Sequence, residues 1–360
     1  MNLWKHADKW GAPPAADAVT LGEGNTPLIH SQRIGPALGL RNLWFKYEGG
    51  NPTGSYKDRF AAAAVTHLKR EGRRACLGTS SGNTGAALAA YCARAGLACH
   101  LAIVEGAPEG KLRQMRAYGA QLFRIRAFGA SPAVSAEVMH GLRGLAEELG
   151  AGYEISAFAL SPRGMAGVQT IGYEIAETLG GEPFNVFSPA GGGGLTLAVA
   201  RGVETFGARG RVHCVQPAGN DTIASALRAG EDRARAVEST TAISGLQVGG
   251  VLDGDQVIAA CRRSGGQGHV VSDEAVWAWQ ARLAREEGVF SEPAGAVALA
   301  GVAQAVARGE LAADEHVVCL VTGSGFKDER SLLRMTGEAG TPLLDDFGAF
   351  AAGVRRALGR

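Results

Sequence analysis

The sequence predicts a two-lobed α/β fold, and three observations carry that prediction. Short apolar runs alternate with longer Ala-rich helical stretches, the pattern of parallel strands covered by helices on both faces. The alternation comes as two series, one before Glu154 and one after it. At 360 residues the chain also exceeds the size at which a single core keeps growing.

The elements follow in order. After a polar, Pro-containing lead over Gly11–Ala18, the run NLWFKYE (Asn42–Glu48) reads as a strand, and Ser55–Glu71 as a helix closed by Gly72. ACLGTS then reads as strand, NTGAALAAYCARAG as helix and ACHLAIV as strand. EGKLRQMRAYG follows as helix and AQLFRIR as strand, before a long helix over Ser131–Leu149. Past Glu154 come a helix over Gly164–Leu179, the strand FNVFSP, a helix after a glycine run and the strand RVHCVQP. The segment GHVVSD, two helices within Asp273–Arg308 and the strand HVVCLVTG complete the series, and a surface helix is expected beyond Thr336. The smaller, mobile lobe is placed at 60–154, inserted into a larger lobe of residues 1–59 and 155–360.

A net charge of +1 gives no reason to expect nucleic acid or an anionic membrane as partner, so any bound anion must be met by local groups. The six cysteines are scattered through apolar runs without a close CxxC pair, which reads as small buried hydrophobes in a reducing compartment. The N-terminus has no signal-type apolar core, and no stretch of about 18 residues resembles a membrane span. A cytoplasmic protein is expected. The eight histidines include no HExxH spacing, so no metal site is read.

Four loops carry the chemistry. Glu48-Gly49-Gly50-Asn51-Pro52-Thr53-Gly54-Ser55-Tyr56-Lys57-Asp58-Arg59 runs from a strand through a turn into a helix. A lysine in a helix's first turn opposes the dipole there, a cost that falls if its amine is uncharged or condensed with an aldehyde. A solvated lysine is the plainer reading for one such residue, but lysines are scarce here and arginine does most of the surface work. Thr79-Ser80-Ser81-Gly82-Asn83-Thr84-Gly85 sets more donors at a helix N-terminus than capping requires, as a carboxylate or phosphate would need. Pro189-Ala190-Gly191-Gly192-Gly193-Gly194-Leu195 lets backbone amides converge on a phosphate. It lacks the GxGxxG spacing of a dinucleotide site and the GK[ST] of a P-loop. Val321-Thr322-Gly323-Ser324-Gly325 ends an apolar strand, where hydroxyls emerge at the carboxyl edge of a sheet; a plain turn is the alternative.

In this order the four loops resemble those of the fold-type II pyridoxal-phosphate (PLP) enzymes, and within them the threonine synthases. The likeness runs from Leu21-Gly22-Glu23-Gly24-Asn25-Thr26-Pro27-Leu28 to Thr322-Gly323-Ser324-Gly325-Phe326-Lys327-Asp328, with Tyr56 where Phe is usual before the lysine. The resemblance implies Lys57 as Schiff-base lysine and general base, and Asn83 on the cofactor's ring oxygen. It implies Ser80, Ser81 and Thr84 on the substrate carboxylate, Gly191 to Gly194 on the cofactor phosphate, and Thr322 facing the pyridine nitrogen. It further implies elimination or replacement on a small amino acid, and a homodimer.

The likeness has departures. In threonine synthases an Asn-Ser pair and an Arg hold the phosphate of O-phosphohomoserine; their equivalents here are Phe158, Ala159 and Gly164, with Arg163 one position away. The glycine loop is closer to that of serine and threonine dehydratases. Two chemical readings therefore stand: threonine synthase proper, or a relative such as a dehydratase, ammonia-lyase or β-replacing synthase. A non-catalytic amino-acid-binding protein is a third, opposed by the intact lysine loop.

Overall fold

The computed structural model describes residues 3–80, 82–337 and 340–359. Its strands are β1 (Leu28–His30), β2 (Asn42–Tyr47), β3 (Ala75–Thr79), β4 (Ala98–Val104), β5 (Gln121–Ile125), β6 (Gly152–Tyr153), β7 (Phe184–Pro189), β8 (Gly210–Pro217), β9 (Gly268–Val271) and β10 (His316–Val321). They form two sheets, ordered β1-β2-β10-β7-β8-β9 and β5-β4-β3-β6. Neighbours are parallel except β1, which runs antiparallel to β2 with Leu28 opposite Lys46. The apolar-rich runs fall where both faces are covered: every residue of central β7 is buried, its Asn185 and Ser188 included. Edge strand β5 instead leaves Phe123 exposed.

The helix Lys57–Arg70 joins the two sheets, and its Ala61–Ala64 run is wholly buried. Small side chains let the helix Pro162–Val168 approach it closely. A Cβ on Gly167 would lie 2.6 Å from the Arg59 carbonyl, and one on Gly164 would lie 2.6 Å from the Phe60 ring. The sequence pattern merged this second helix with the next, over Gly164–Leu179. The structure instead shows Pro162–Val168 followed by Thr170–Thr178. The break has a local cause: the Thr170 hydroxyl bonds back to the Gly167 carbonyl at 2.6 Å.

Other differences concern short elements. The strands β1 and β6, of three and two residues, are too short to stand out in sequence, and the helix Gly254–Ser264 is not among the elements expected from the sequence. Leu3, Trp4 and Trp10, ahead of the polar lead, are buried in the core. The expected C-terminal helix forms over Phe347–Ala357, but none of its residues is buried and Phe347 is 78% exposed. All six cysteines are buried and free. Among the described residues no helix is long and apolar enough to cross a membrane.

Beneath the Lys57 turn lies a buried charge cluster. The Arg59 guanidinium, fully buried, donates to Glu48 Oε2 and Oε1 (both 2.8 Å) and to Glu174 Oε1 (2.6 Å) and Oε2 (2.8 Å). Lys46 Nζ adds a bond to Glu174 Oε2 at 2.6 Å. Burial opposes the Glu174 charge, but Arg59 and then Lys46 more than reverse this and hold its carboxyl well below the usual carboxylate range. Burial lowers Lys46, with Glu174 acting against it. Such a cluster stands only while every member is paired.

Candidate active site

The four loops converge at the carboxyl ends of the central strands. β2 leads to Lys57, β3 to Asn83, β7 to the glycine run, and β10 to Thr322. The first and fourth loops are laced together: Tyr56 N–H donates to the Thr322 carbonyl at 3.0 Å, Ser324 N–H donates to the Gly54 carbonyl at 2.9 Å, and Ser55 pairs with Gly323. Gly54 needs its glycine, since φ is +90° and an added Cβ would meet Lys327 Cε at 3.0 Å.

Inside that turn Thr53 donates through its N–H (2.9 Å) and hydroxyl (2.7 Å) to Asp58. Burial lifts the Asp58 carboxyl to about 6 against those two bonds. Asn51 is held equally firmly, donating to Glu48 Oε2 at 2.8 Å and accepting from Gly24 N–H at 2.9 Å. With the charge cluster below, this turn fixes where the Lys57 stem leaves the helix.

Lys57 is the first residue of its helix. Its Nζ donates to Ser156 Oγ at 2.5 Å and lies 4.5 Å from the centre of the Tyr56 ring. Ser156 in turn meets the Thr84 hydroxyl at 3.2 Å. Among the described residues Lys57 has no carboxylate partner, so the amine meets hydroxyls and a ring face instead of a neutralising anion.

The second loop is split among tasks. Asn83 Nδ2 donates to Glu292 Oε1 at 2.8 Å, while Ser80 Oγ accepts from Gly82 N–H at 3.2 Å within its own turn. Thr84 belongs to the Lys57–Ser156 chain. Ser81 lies outside the described residues. Glu292 is buried, and burial raises its carboxyl to about 7, with Lys111, Lys327 and Asn83 acting in the other direction. A Cβ on Gly323 would stand 2.3 Å from Glu292 Oε1, so the fourth loop leaves room for that carboxyl only as glycine.

The glycine run is a cradle that side chains would fill. A Cβ on Gly192 would reach Leu252 at 3.0 Å, and one on Gly193, whose φ is +97°, would reach Val257 at 2.8 Å. Among the described residues no protein acceptor takes the N–H of Gly191, Gly192 or Gly193. Gly194 begins the helix Gly194–Phe206, and its added Cβ would be 3.4 Å from the Ser156 carbonyl. The cradle thus abuts the segment that meets Lys57. Thr322 is buried beside it, and among the described residues its hydroxyl bonds to no protein group.

The edge of the site is clasped across the two sheets. Lys111, on the helix Glu109–Ala117, contacts Ser244 and reaches Asp328 at 3.2 Å. Lys327 Nζ donates to Gln114 Oε1 at 2.6 Å, and burial lowers its pKa.

Two site residues carried no readable signal. Ser156 follows a two-residue strand in a stretch with no motif. Glu292 lies in a turn between two helices, and its contact with Asn83 marks it out. Arg163, the candidate to replace the missing arginine, is 55% exposed and pairs with Glu71 at 2.5 Å, away from Lys57.

Comparison with known proteins agrees with this geometry. Residues 19–323 match the family described as pyridoxal-phosphate dependent enzyme. Threonine synthase of Halalkalibacterium halodurans is 34% identical over 321 residues, covering 88% of this chain and 86% of that protein. Threonine synthase of Methanosarcina acetivorans is 32% identical over 352 residues, covering 94% and 83%. Among solved structures, the processed form of threonine deaminase isoform 2 from Solanum lycopersicum superposes with a TM-score of 0.75 at 24% identity, covering 94% of each chain; that likeness is one of fold.

Proposed function

This chain belongs to the family of pyridoxal-phosphate-dependent enzymes, and on that premise we propose that it eliminates or replaces a substituent on a small amino acid, with Lys57 as the reactive group. The carrying observation is the Lys57 amine itself, held by Ser156 at a sheet edge without a carboxylate to neutralise it.

The residues fit the cofactor. The glycine cradle, where an added Cβ would crowd its neighbours, has N–H groups without a protein acceptor among the described residues and suits a phosphate. Asn83, steadied by Glu292, would hold the ring oxygen, and the Thr322 hydroxyl would face the pyridine nitrogen. A hydroxyl there, unlike a carboxylate, does not enforce ring protonation, which favours elimination and replacement. Bound in this cradle, PLP supplies an electron sink for charge developing at the substrate Cα.

The chain's own groups do the rest. Ser80, Ser81 and Thr84 would bind the substrate carboxylate at the start of the helix Asn83–Ala95, where the dipole favours an anion. Lys57 would take the proton from the substrate Cα and return it, its amine oriented by Ser156. The clasp of Lys111 and Lys327 across the two sheets would keep water out while charge is exposed at that carbon. The smaller lobe, placed at 60–154, is the part we expect to move against residues 1–59 and 155–360. A homodimer and a cytoplasmic location complete the proposal; six free, buried cysteines suit a reducing compartment.

The chemistry is threonine synthase-like on the strength of the curated relatives. A second reading, a dehydratase- or ammonia-lyase-like β-elimination, is favoured by Phe158, Ala159 and Gly164 standing where the resemblance expects phosphate-binding side chains. A screen of amino acids against the reconstituted enzyme, following the spectrum of bound cofactor, tests the proposal. A spectral change with release of threonine and phosphate, or of keto acid and ammonia, is expected from one of them. A protein that binds cofactor yet responds to no amino acid would refute it.

A further inference from the structure

Asp253 is the N-cap residue of the helix Gly254–Ser264, yet its side chain makes no capping bond there. The carboxylate turns instead to the segment beyond Ser156. Its Oδ2 accepts from Phe158 N–H at 2.9 Å and its Oδ1 from Ala159 N–H at 3.0 Å. The residue is 1% exposed, and its own N–H is tied to the Gly192 carbonyl at 3.1 Å. Its position follows from Gly194: a Cβ there would lie 3.2 Å from Asp253 Oδ2 and 3.4 Å from the Ser156 carbonyl. The carboxylate is therefore built into the wall shared by the glycine cradle and the segment that meets Lys57.

Two adjacent N–H groups, in the segment whose Ser156 holds the reactive amine, form an anion site if left free. Here the chain fills it with an anion of its own, and charge-assisted bonds hold that anion in place. Among the described residues the cations nearest this wall already have partners. Arg163 pairs with Glu71 at the surface, and Gly164 packs against Phe60 and Ala64. Arg201 lies 4.2 Å over the Phe158 ring and bonds Gln256. Lys111 and Lys327 are engaged by Asp328 and Gln114 respectively.

We infer that Asp253 is a specificity-determining residue, whose carboxylate occupies the anion position just beyond Ser156, the residue that holds Lys57, so that the enzyme takes amino acids with an uncharged leaving group, such as a hydroxyl, and rejects phosphorylated ones. The inference rests on the proposed elimination or replacement chemistry and, of its two readings, selects the one whose substrate carries no phosphate. A phosphate brought to this wall would find both amides spent and would face a buried negative charge.

The test uses cofactor-loaded enzyme and two matched pairs, L-serine with O-phospho-L-serine and L-homoserine with O-phospho-L-homoserine. Two quantities are read for each: the shift in thermal midpoint on adding the amino acid, and KM separately from kcat. The wild type should bind the unphosphorylated member at least tenfold more tightly in any pair it recognises. Asp253→Asn, which removes the charge and frees one amide, should shrink that ratio at least fivefold by lowering KM for the phosphorylated member. Equal or tighter binding of a phosphorylated amino acid by the wild type overturns the inference; so does binding of none of the four, or an unchanged ratio in a folded Asp253→Asn protein. If that variant does not fold, the wild-type ratio decides alone. Failure of the parent reading would show differently, as cofactor-loaded protein that responds to no amino acid in the wider screen, whereas failure of this inference alone leaves a response to other amino acids.

Discussion

Glu174→Gln tests whether the buried charge cluster sets the stability of the Lys57 turn. The carboxylate accepts from Asn25 N–H and Arg59 Nη1 on Oε1, and from Lys46 Nζ and Arg59 Nη2 on Oε2. A glutamine amide must turn an NH2 group toward one of those donor sets, so a cation loses its acceptor whichever way the amide flips. With the NH2 on the Oε2 side, Lys46, 2% exposed, would retain only the Thr26 carbonyl; with it on the Oε1 side, Arg59 Nη1 loses that acceptor. Breaking a buried pair from one side costs about 3–5 kcal/mol. For 360 residues at about 2.1 cal/mol/K of unfolding entropy each, the thermal midpoint should fall by about 4–7 °C. Calorimetry at pH 7 reads this, with Glu177→Gln as control. That glutamate pairs with Lys5 at the exposed surface, and its loss should move the midpoint by about 1 °C or less.

The sign with pH is fixed as well. The Glu174 carboxyl is held low in the folded protein, so its contribution is complete above the ordinary glutamate range and lost only as pH falls through the depressed value. The gap between wild type and variant should therefore persist from pH 8 to pH 5 and close only in acid. A midpoint within 1 °C of wild type, or a gap already closed at pH 6, would refute the assignment.

Two further outcomes are expected. Gly193→Ala forces a side chain into φ +97° and against Val257, so cofactor affinity measured by equilibrium dialysis should weaken at least tenfold; undiminished affinity would remove the cradle from the account. Glu292 has its carboxyl raised from 4.5 to about 7, so the folded state holds that proton more tightly and stability falls as pH rises between those values. Glu292→Gln should flatten the dependence by up to about 3 kcal/mol in urea unfolding at pH 5 and pH 8; parallel curves for the two proteins would count against it.

Much of this was legible in the sequence because the decisive features are local. Glycine at Gly54 and Gly193 is demanded by backbone angle and by neighbours, and such a demand appears in sequence as an uninterrupted glycine or an Asn-Pro-Thr-Gly turn. Parallel strands buried on both faces announce themselves as apolar-rich runs, most plainly Val317–Val321 of β10. What stayed hidden depends on residues far apart in the chain. Ser156 meets Lys57 across 99 positions, Asp253 meets Phe158 across 95, and Glu292 meets Asn83 across 209. No period or spacing encodes such pairs; only the stacking of loops at two sheet edges brings them together. Arg163 shows the converse: proximity in sequence to a missing arginine did not place it in the site, because its helix directs it toward Glu71.

The central claim is that the amine of Lys57, and no other, joins the cofactor. Protein reconstituted with pyridoxal phosphate, reduced with borohydride and digested should yield one peptide carrying the pyridoxyl mass, with the modification at Lys57. Label at Lys111 or Lys327, the two other lysines at the site's edge, or no label at all, would contradict it.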